Sequence, residues 1–244
     1  MILAFNTSSR EFSIALLEEE GTVLAECLMS QAEGHFAALM PSLHFLLNTT
    51  RLDIHDLKCV VIAKGPGSFT GLRVGLSVAK GLCHALDIPV IGVPTLEAMA
   101  SQIPYTDLPV TPIIASRKGE FFTSRFVRDN DHNLVKKMDD VALRHEDFPS
   151  LLEESTILIG NDYPNQGLPL KKMLGPRILL APAPCWNLKA SAVGALGLER
   201  FHVHDFDELE GLDPLYLRPP DIRPTPYYSL SSGSCRPEES MQEL

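Results

Sequence analysis

Two short runs in this 244-residue chain hold the residues best placed to do chemistry, Asn6-Thr7-Ser8 and Gly65-Pro66-Gly67-Ser68-Phe69-Thr70-Gly71-Leu72-Arg73-Val74-Gly75. Each follows an apolar run that reads as a buried strand, and the second opens a long apolar helix. Glycines allow the sharp turn, and open α/β sheets place their sites at the carboxyl ends of strands. The chemistry to test is phosphate handling, with the Ser68, Phe69 and Thr70 amides facing an anion at the helix start. A P-loop needs Gly, four residues, then Gly-Lys-Ser/Thr, and no Lys stands at that position; GxGxxG fails because Thr70 takes its last glycine. Triphosphate binding by this turn alone is therefore disfavoured against a plain tight turn with Ser68 as N-cap.

Other chemistries find less support. His35 and His44 are nine residues apart, His202 and His204 only two, and neither HxxxH nor HExxH occurs, which argues against a metal hydrolase. Gly65-Pro66-Gly67-Ser68-Phe69 does not match the GxSxG of serine hydrolases. Asp53, Asp56, Glu97 and Glu120 are candidate acids, but no pair has a spacing that implies acid–base work. The five cysteines (27, 59, 83, 185 and 235) form no CxxC, as expected of a reducing compartment.

The elements that position the two runs come in a recognisable order. Ile2–Asn6, Phe12–Leu17 and Thr22–Leu28 read as a strand meander. A helix follows from about His35 to Leu47, with Phe36, Leu39, Met40, Leu43, Leu46 and Leu47 as its apolar stripe. Pro41 should kink that helix or mark its first turn. Then come strand Cys59–Ala63, the glycine turn, a helix over Phe69–Leu86, strand Pro89–Val93 and a helix to Ser101 with Thr95 as N-cap. After Pro104 the pattern restarts with paired strands Val110–Ala115 and Glu120–Val127. Shorter strands at Ile157–Ile159 and Ile178–Leu180 and a helix over Leu188–Phe201 complete it.

This partial echo predicts a duplicated α/β design, the two-lobed actin/Hsp70/sugar-kinase-like (ribonuclease H-like) fold with a reduced second lobe. Residues 1–104 with a returning helix at about 188–204 form the first lobe, and 105–187 with 205–228 the smaller second. The Pro-, Ser- and acid-rich stretch 229–244 reads as a disordered tail. ATP-binding members of that superfamily usually carry an acid at the end of the first strand. Here Asn6 stands in its place, and Asn cannot supply the charge that organises a metal–phosphate site.

Gly71, Gly75 and Ala79 recur every four residues, with Cys83 next, so the second helix carries a ridge of small residues. Interior glycines cost about 0.5–1 kcal/mol each relative to alanine and need a reason. The ridge either packs closely on the protein's own sheet or forms a helix–helix subunit interface beside the helix from His35. The sequence leaves both open.

Composition sets further bounds. Lys plus Arg number 21 against 31 Asp plus Glu, a net charge of −10 that repels phosphate backbones. No apolar run suits a signal peptide or a membrane span, so a cytoplasmic location is expected.

Several of these residues resemble the TsaB (YeaZ) family, which works in tRNA threonylcarbamoyladenosine synthesis. The resemblance is carried by Ile2-Leu3-Ala4-Phe5-Asn6-Thr7-Ser8, His35 with Leu39-Met40-Pro41, Gly65 to Gly75 with Ala79-Lys80-Gly81-Leu82, Gly92-Val93-Pro94-Thr95-Leu96, and Pro214-Leu215-Tyr216-Leu217-Arg218. It is strong over the first half and weaker beyond. Two departures stand out: Asn6 replaces the family's Asp, and Ala115-Ser116-Arg117 replaces its Asp-Ala-Arg run.

The resemblance implies a non-catalytic scaffold that activates a TsaD-like catalytic subunit, with a TsaE-like ATPase joining them. It implies a homodimer in isolation, tRNA reached only through the complex, and no membrane. No catalytic, metal or cofactor-binding residue is implied for this chain alone, with ATP or ADP expected at most at the complex interface. The interface would use His35, Leu39, Phe69, Gly71, Leu72, Gly75 and Ala79. The alternative is a stand-alone ATPase or kinase of the same superfamily, or a glycoprotease-like hydrolase.

Overall fold

The computed structural model describes residues 1–30, 35–117 and 119–218, with the side chains of Ser30, His35 and Phe36 left undescribed. The first sheet contains β1 (Ile2–Asn6), β2 (Glu11–Leu17) and β3 (Val23–Ser30), then β4 (Cys59–Gly65) and β5 (Val90–Pro94), in the order β3-β2-β1-β4-β5. β1 and β2, like β2 and β3, run antiparallel, whereas β1–β4 and β4–β5 are parallel. The central strands are buried on both faces, which is why they read as unbroken apolar runs.

Alternation along β1 and β4 feeds two cores. Leu3, Phe5, Val60 and Ile62 meet α1 (Leu39–Thr50) and α2 (Phe69–Leu86) on one face. Ile2, Ala4, Val61 and Ala63 meet α3 (Thr95–Ser101) on the other.

The second sheet contains β6 (Val110–Ala115), β7 (Glu120–Arg128), β8 (Leu134–Arg144), β9 (Thr156–Ile159) and β10 (Ile178–Leu180), ordered β10-β9-β6-β7-β8. Numbered within each half, both sheets read 3-2-1-4-5 with the same parallel and antiparallel neighbours. The expected duplication is present, and its second strand set is complete. The reduction lies in the helices: α4 (Phe148–Leu151) and α5 (Leu168–Leu174) have 4 and 7 residues, against 12 and 18 for α1 and α2. The final helix, α6 (Ala190–His202), packs against β1 and β2 of the first sheet and puts Val193 and Leu198 into the core shared with α3.

Several details differ from the sequence reading. β8 is an edge strand that its Lys136-Lys137 and Asp139-Asp140 pairs hid. Of the two expectations for Pro41 the second holds: it lies in the first turn of α1, which begins at Leu39 after a short 3-10 turn. Thr95 is the first helical residue, not the N-cap; its Oγ1 accepts a 3.0 Å bond from the Gly65 N–H.

Residues 205–217, expected with the second lobe, run along the first sheet instead. The Asp207 N–H donates to Val90 O (3.0 Å), the Gly92 N–H to Asp207 Oδ2 (2.7 Å), and the Leu215 N–H to Lys64 O (2.7 Å). Arg200 anchors this return by donating to Asp205 and Asp207 at 2.6 and 2.9 Å. The tail expected over 229–244 lies outside the described residues.

Candidate functional site

The two chemistry-bearing runs do meet, at the carboxyl ends of β1 and β4. Asn6 is fully buried, and its Oδ1 accepts from the Ser8 N–H (2.9 Å) and the Ser8 hydroxyl (2.6 Å). The acid position of the ATP-binding superfamily thus holds an amide that closes its own turn. The Ser68 N–H, one of the three amides expected to face an anion, donates instead to Ser8 O at 2.6 Å. A Cβ on Gly67 would overlap Ser8 O, so only glycine lets the two loops close on each other. Ser68 is the N-cap of α2, as expected, its Oγ accepting from the Gly71 N–H at 3.3 Å.

The small-residue ridge faces inward. A Cβ on Gly75 would overlap Thr7 Oγ1 and come within 3.1 Å of Ile62. Leu39, Gly71, Leu72, Gly75 and Ala79 are all buried within the chain. Close packing against Thr7 and Ile62 accounts for Gly75, and none of these five residues presents a side chain to the outer helix face. Of the seven expected interface residues, Phe69 is exposed (40%), and the side chain of His35 lies outside the described residues.

Sequence reading missed what the outer faces do carry. On α1, Met40 and Phe45 are 45% and 59% exposed. Met40 was assigned to the inward stripe, and Phe45 fell off it; an apolar residue off the stripe was the available signal. On α2 the Arg73 guanidinium lies 3.9 Å above the Phe69 ring, and its Nε donates to the Tyr216 hydroxyl at 3.0 Å. The Phe69 and Tyr216 rings stack 5.3 Å apart.

Beside this cluster opens a cleft of about 220 Å³ between the lobes. Pro66, Ser68 and Phe69 line one wall, Ser116, Arg117 and Phe122 the other. Arg218 spans it with an ion pair to Glu120, its Nη2 donating to Oε1 at 3.0 Å while Nη1 lies 2.8 Å from Oε2 without a hydrogen bond. Glu120, a candidate acid, is therefore committed to an arginine. Asp53 and Asp56 make a capping box: the His55 N–H donates to Asp53 Oδ1 and the Asp53 N–H to Asp56 Oδ2.

Glu97, on α3, does not line this cleft and is half-buried beside Lys136, Asp140 and Glu199; burial raises its pKa above the ordinary carboxylate value. Burial pushes the thiols of Cys59 and Cys83 up to about 12, which keeps them protonated and inert. Among the described residues no three His, Cys, Asp or Glu side chains converge in a way that could hold a metal ion. No described helix is long and apolar enough to cross a membrane.

Residues 22–153 match the family model described as "TsaD: tRNA N6-adenosine threonylcarbamoyltransferase". A Bacillus subtilis protein named "tRNA threonylcarbamoyladenosine biosynthesis protein TsaB" is 33% identical over 220 residues, 89% of this chain and 93% of that protein. The chain belongs to the TsaB family. The Escherichia coli TsaB is 34% identical over 133 residues, 53% of this chain and 56% of its own length. Two solved YeaZ-type structures from Pseudomonas aeruginosa, both 22% identical, superpose with TM-scores of 0.73 and 0.71. They cover 89% and 88% of this chain and 99% of their own, which shows that the TsaB (YeaZ) fold extends across both lobes.

Proposed function

We propose that this TsaB-family chain is a non-catalytic subunit of the machinery that makes tRNA threonylcarbamoyladenosine, and that it activates a TsaD-like transferase by pairing with it. The observation that carries the reading is the exposure of Met40 and Phe45 on α1 and of Phe69 on α2, two helices that cover the same face of the first sheet. Large apolar side chains exposed on helices over one sheet face suit a helix-packing partner. The names of the relatives supply the process, and the closed loops around Asn6 and Ser68 support a scaffold rather than an independent ATPase. With a net charge of −10, the chain meets tRNA through its partners. A TsaE-like ATPase completes the complex in the cytoplasm, any ATP or ADP lies at the subunit junction, and the same helix face pairs two copies when the chain is alone.

The test is light scattering of the purified chain mixed with a TsaD-like subunit, with ATP turnover followed in parallel. A defined heterodimer is expected, with this chain silent alone. Phe45→Asp combined with Met40→Lys should weaken pairing at least about tenfold, the scale of an interface hot spot. No association, or nucleotide turnover by the isolated chain, would overturn the reading.

A further inference from the structure

Four residues carry the chain from one lobe to the other across the mouth of the cleft. Leu215 is tied to the end of β4 through Lys64 O, and Tyr216 stacks on Phe69 while its hydroxyl accepts from Arg73. Leu217 packs against the core that both sheets share, and Arg218 reaches the second lobe at Glu120, the first residue of β7. The two ends differ in chemistry. The first-lobe end is an aromatic stack topped by a guanidinium. The second is an ion pair with one hydrogen bond, and its carboxylate side chain is only 15% exposed. Between the sheets α3 packs against β4, β6, β7 and β8, which makes it the natural pivot for any change in the angle between them.

We propose that residues 215–218 are a clasp that sets the width of the cleft between the lobes, closed when Tyr216 holds α2 and Arg218 holds β7 together. The clasp rests on contacts within this chain and does not depend on the partner proposed above. It has a consequence for that partner: one that takes the place of Tyr216 on Phe69 frees the strap from α2 and leaves its first-lobe end held by the Leu215–Lys64 bond. Docking on α2 is thereby felt at the Ser116–Arg117 wall, on the other lobe.

The experiment is a pulsed spin-label distance measurement across the cleft, on the full chain with Cys27, Cys185 and Cys235 replaced by Ala and labels on Thr70→Cys and Ala115→Cys. Tyr216→Ala, Arg218→Ala and the double variant are compared with the intact clasp, the fold of each being checked by circular dichroism. Each single variant should shift the distance to longer values, and the double should add no further shift. Should Arg218→Ala fail to fold, Glu120→Gln and Arg218→Lys perturb the ion pair more gently and are read in the same way. An unchanged distance in folded variants, with only a lower melting temperature, would overturn the proposal.

Discussion

Thr7 Oγ1 occupies the space that a Cβ on Gly75 would need. This contact joins the end of β1 to the middle of α2 and accounts for the absence of a side chain at Gly75. A larger side chain at Gly75 therefore damages the fold before it can act on any partner. Gly75→Ala should destabilise the chain by about 1–3 kcal/mol, the usual cost of overpacking, and Gly75→Leu should prevent folding. Urea unfolding curves of the two variants check this, and a fully stable Gly75→Leu monomer would contradict it.

α6 has no side-chain cap of its own at Lys189; Glu26 supplies one from β3. The Ser191 N–H and hydroxyl donate to its two carboxylate oxygens at 2.7 and 3.0 Å. Glu26→Ala should cost about 1 kcal/mol, the usual value of a lost cap, and Glu26→Gln less. Thermal melts of both variants test the order.

Glu97 gives a pH signature. Burial raises its pKa in the folded state, so the folded chain holds that proton more tightly than the unfolded chain. Its contribution to stability is therefore lost as pH rises through the ordinary carboxylate value and then through the raised one. Glu97→Gln should be more stable than the parent at neutral pH, with the gain fading as pH falls through the raised pKa and absent below the ordinary value. Melting temperatures of the pair across that range measure it, and the reverse trend would contradict it.

Thiol reactivity should divide by environment. Cys59 and Cys83 are buried, with pKa values pushed up to about 12, whereas Cys27 and Cys185 are half-buried. An aromatic disulfide reagent at mildly alkaline pH should modify Cys27 and Cys185 in the native chain and reach Cys59 and Cys83 only after denaturation. Rapid native labelling of Cys59 or Cys83 would contradict their packing.

The parts legible in the sequence are those where one physical pattern dominates. Ile2–Asn6 and Cys59–Ala63 announce themselves because a strand buried on both faces is apolar throughout, and Ser68 because a hydroxyl before a helix has few other uses. β8 stayed hidden because a half-exposed edge strand tolerates Lys136-Lys137 and Asp139-Asp140. The period of Gly71, Gly75 and Ala79 fixes a shared helix face, yet it does not say which neighbour that face meets. The return of residues 205–217 depends on the Asp207 carboxylate finding the Gly92 amide, a pairing between residues 115 positions apart with no local signature. Tyr216 and Arg218 were visible as part of a motif, but their partners, Phe69, Arg73 and Glu120, were not.

Asp207 also bears on where the chain can be cut. β5 is an outer strand of the first sheet, and residues 205–207 occupy its open side at Val90 and Gly92. A fragment ending after α6 would keep every helix and strand described above, yet leave a parallel edge with unpaired amides facing water. Such an edge is a template for another chain. That fragment is expected to aggregate through this edge, which the short return after the last helix covers.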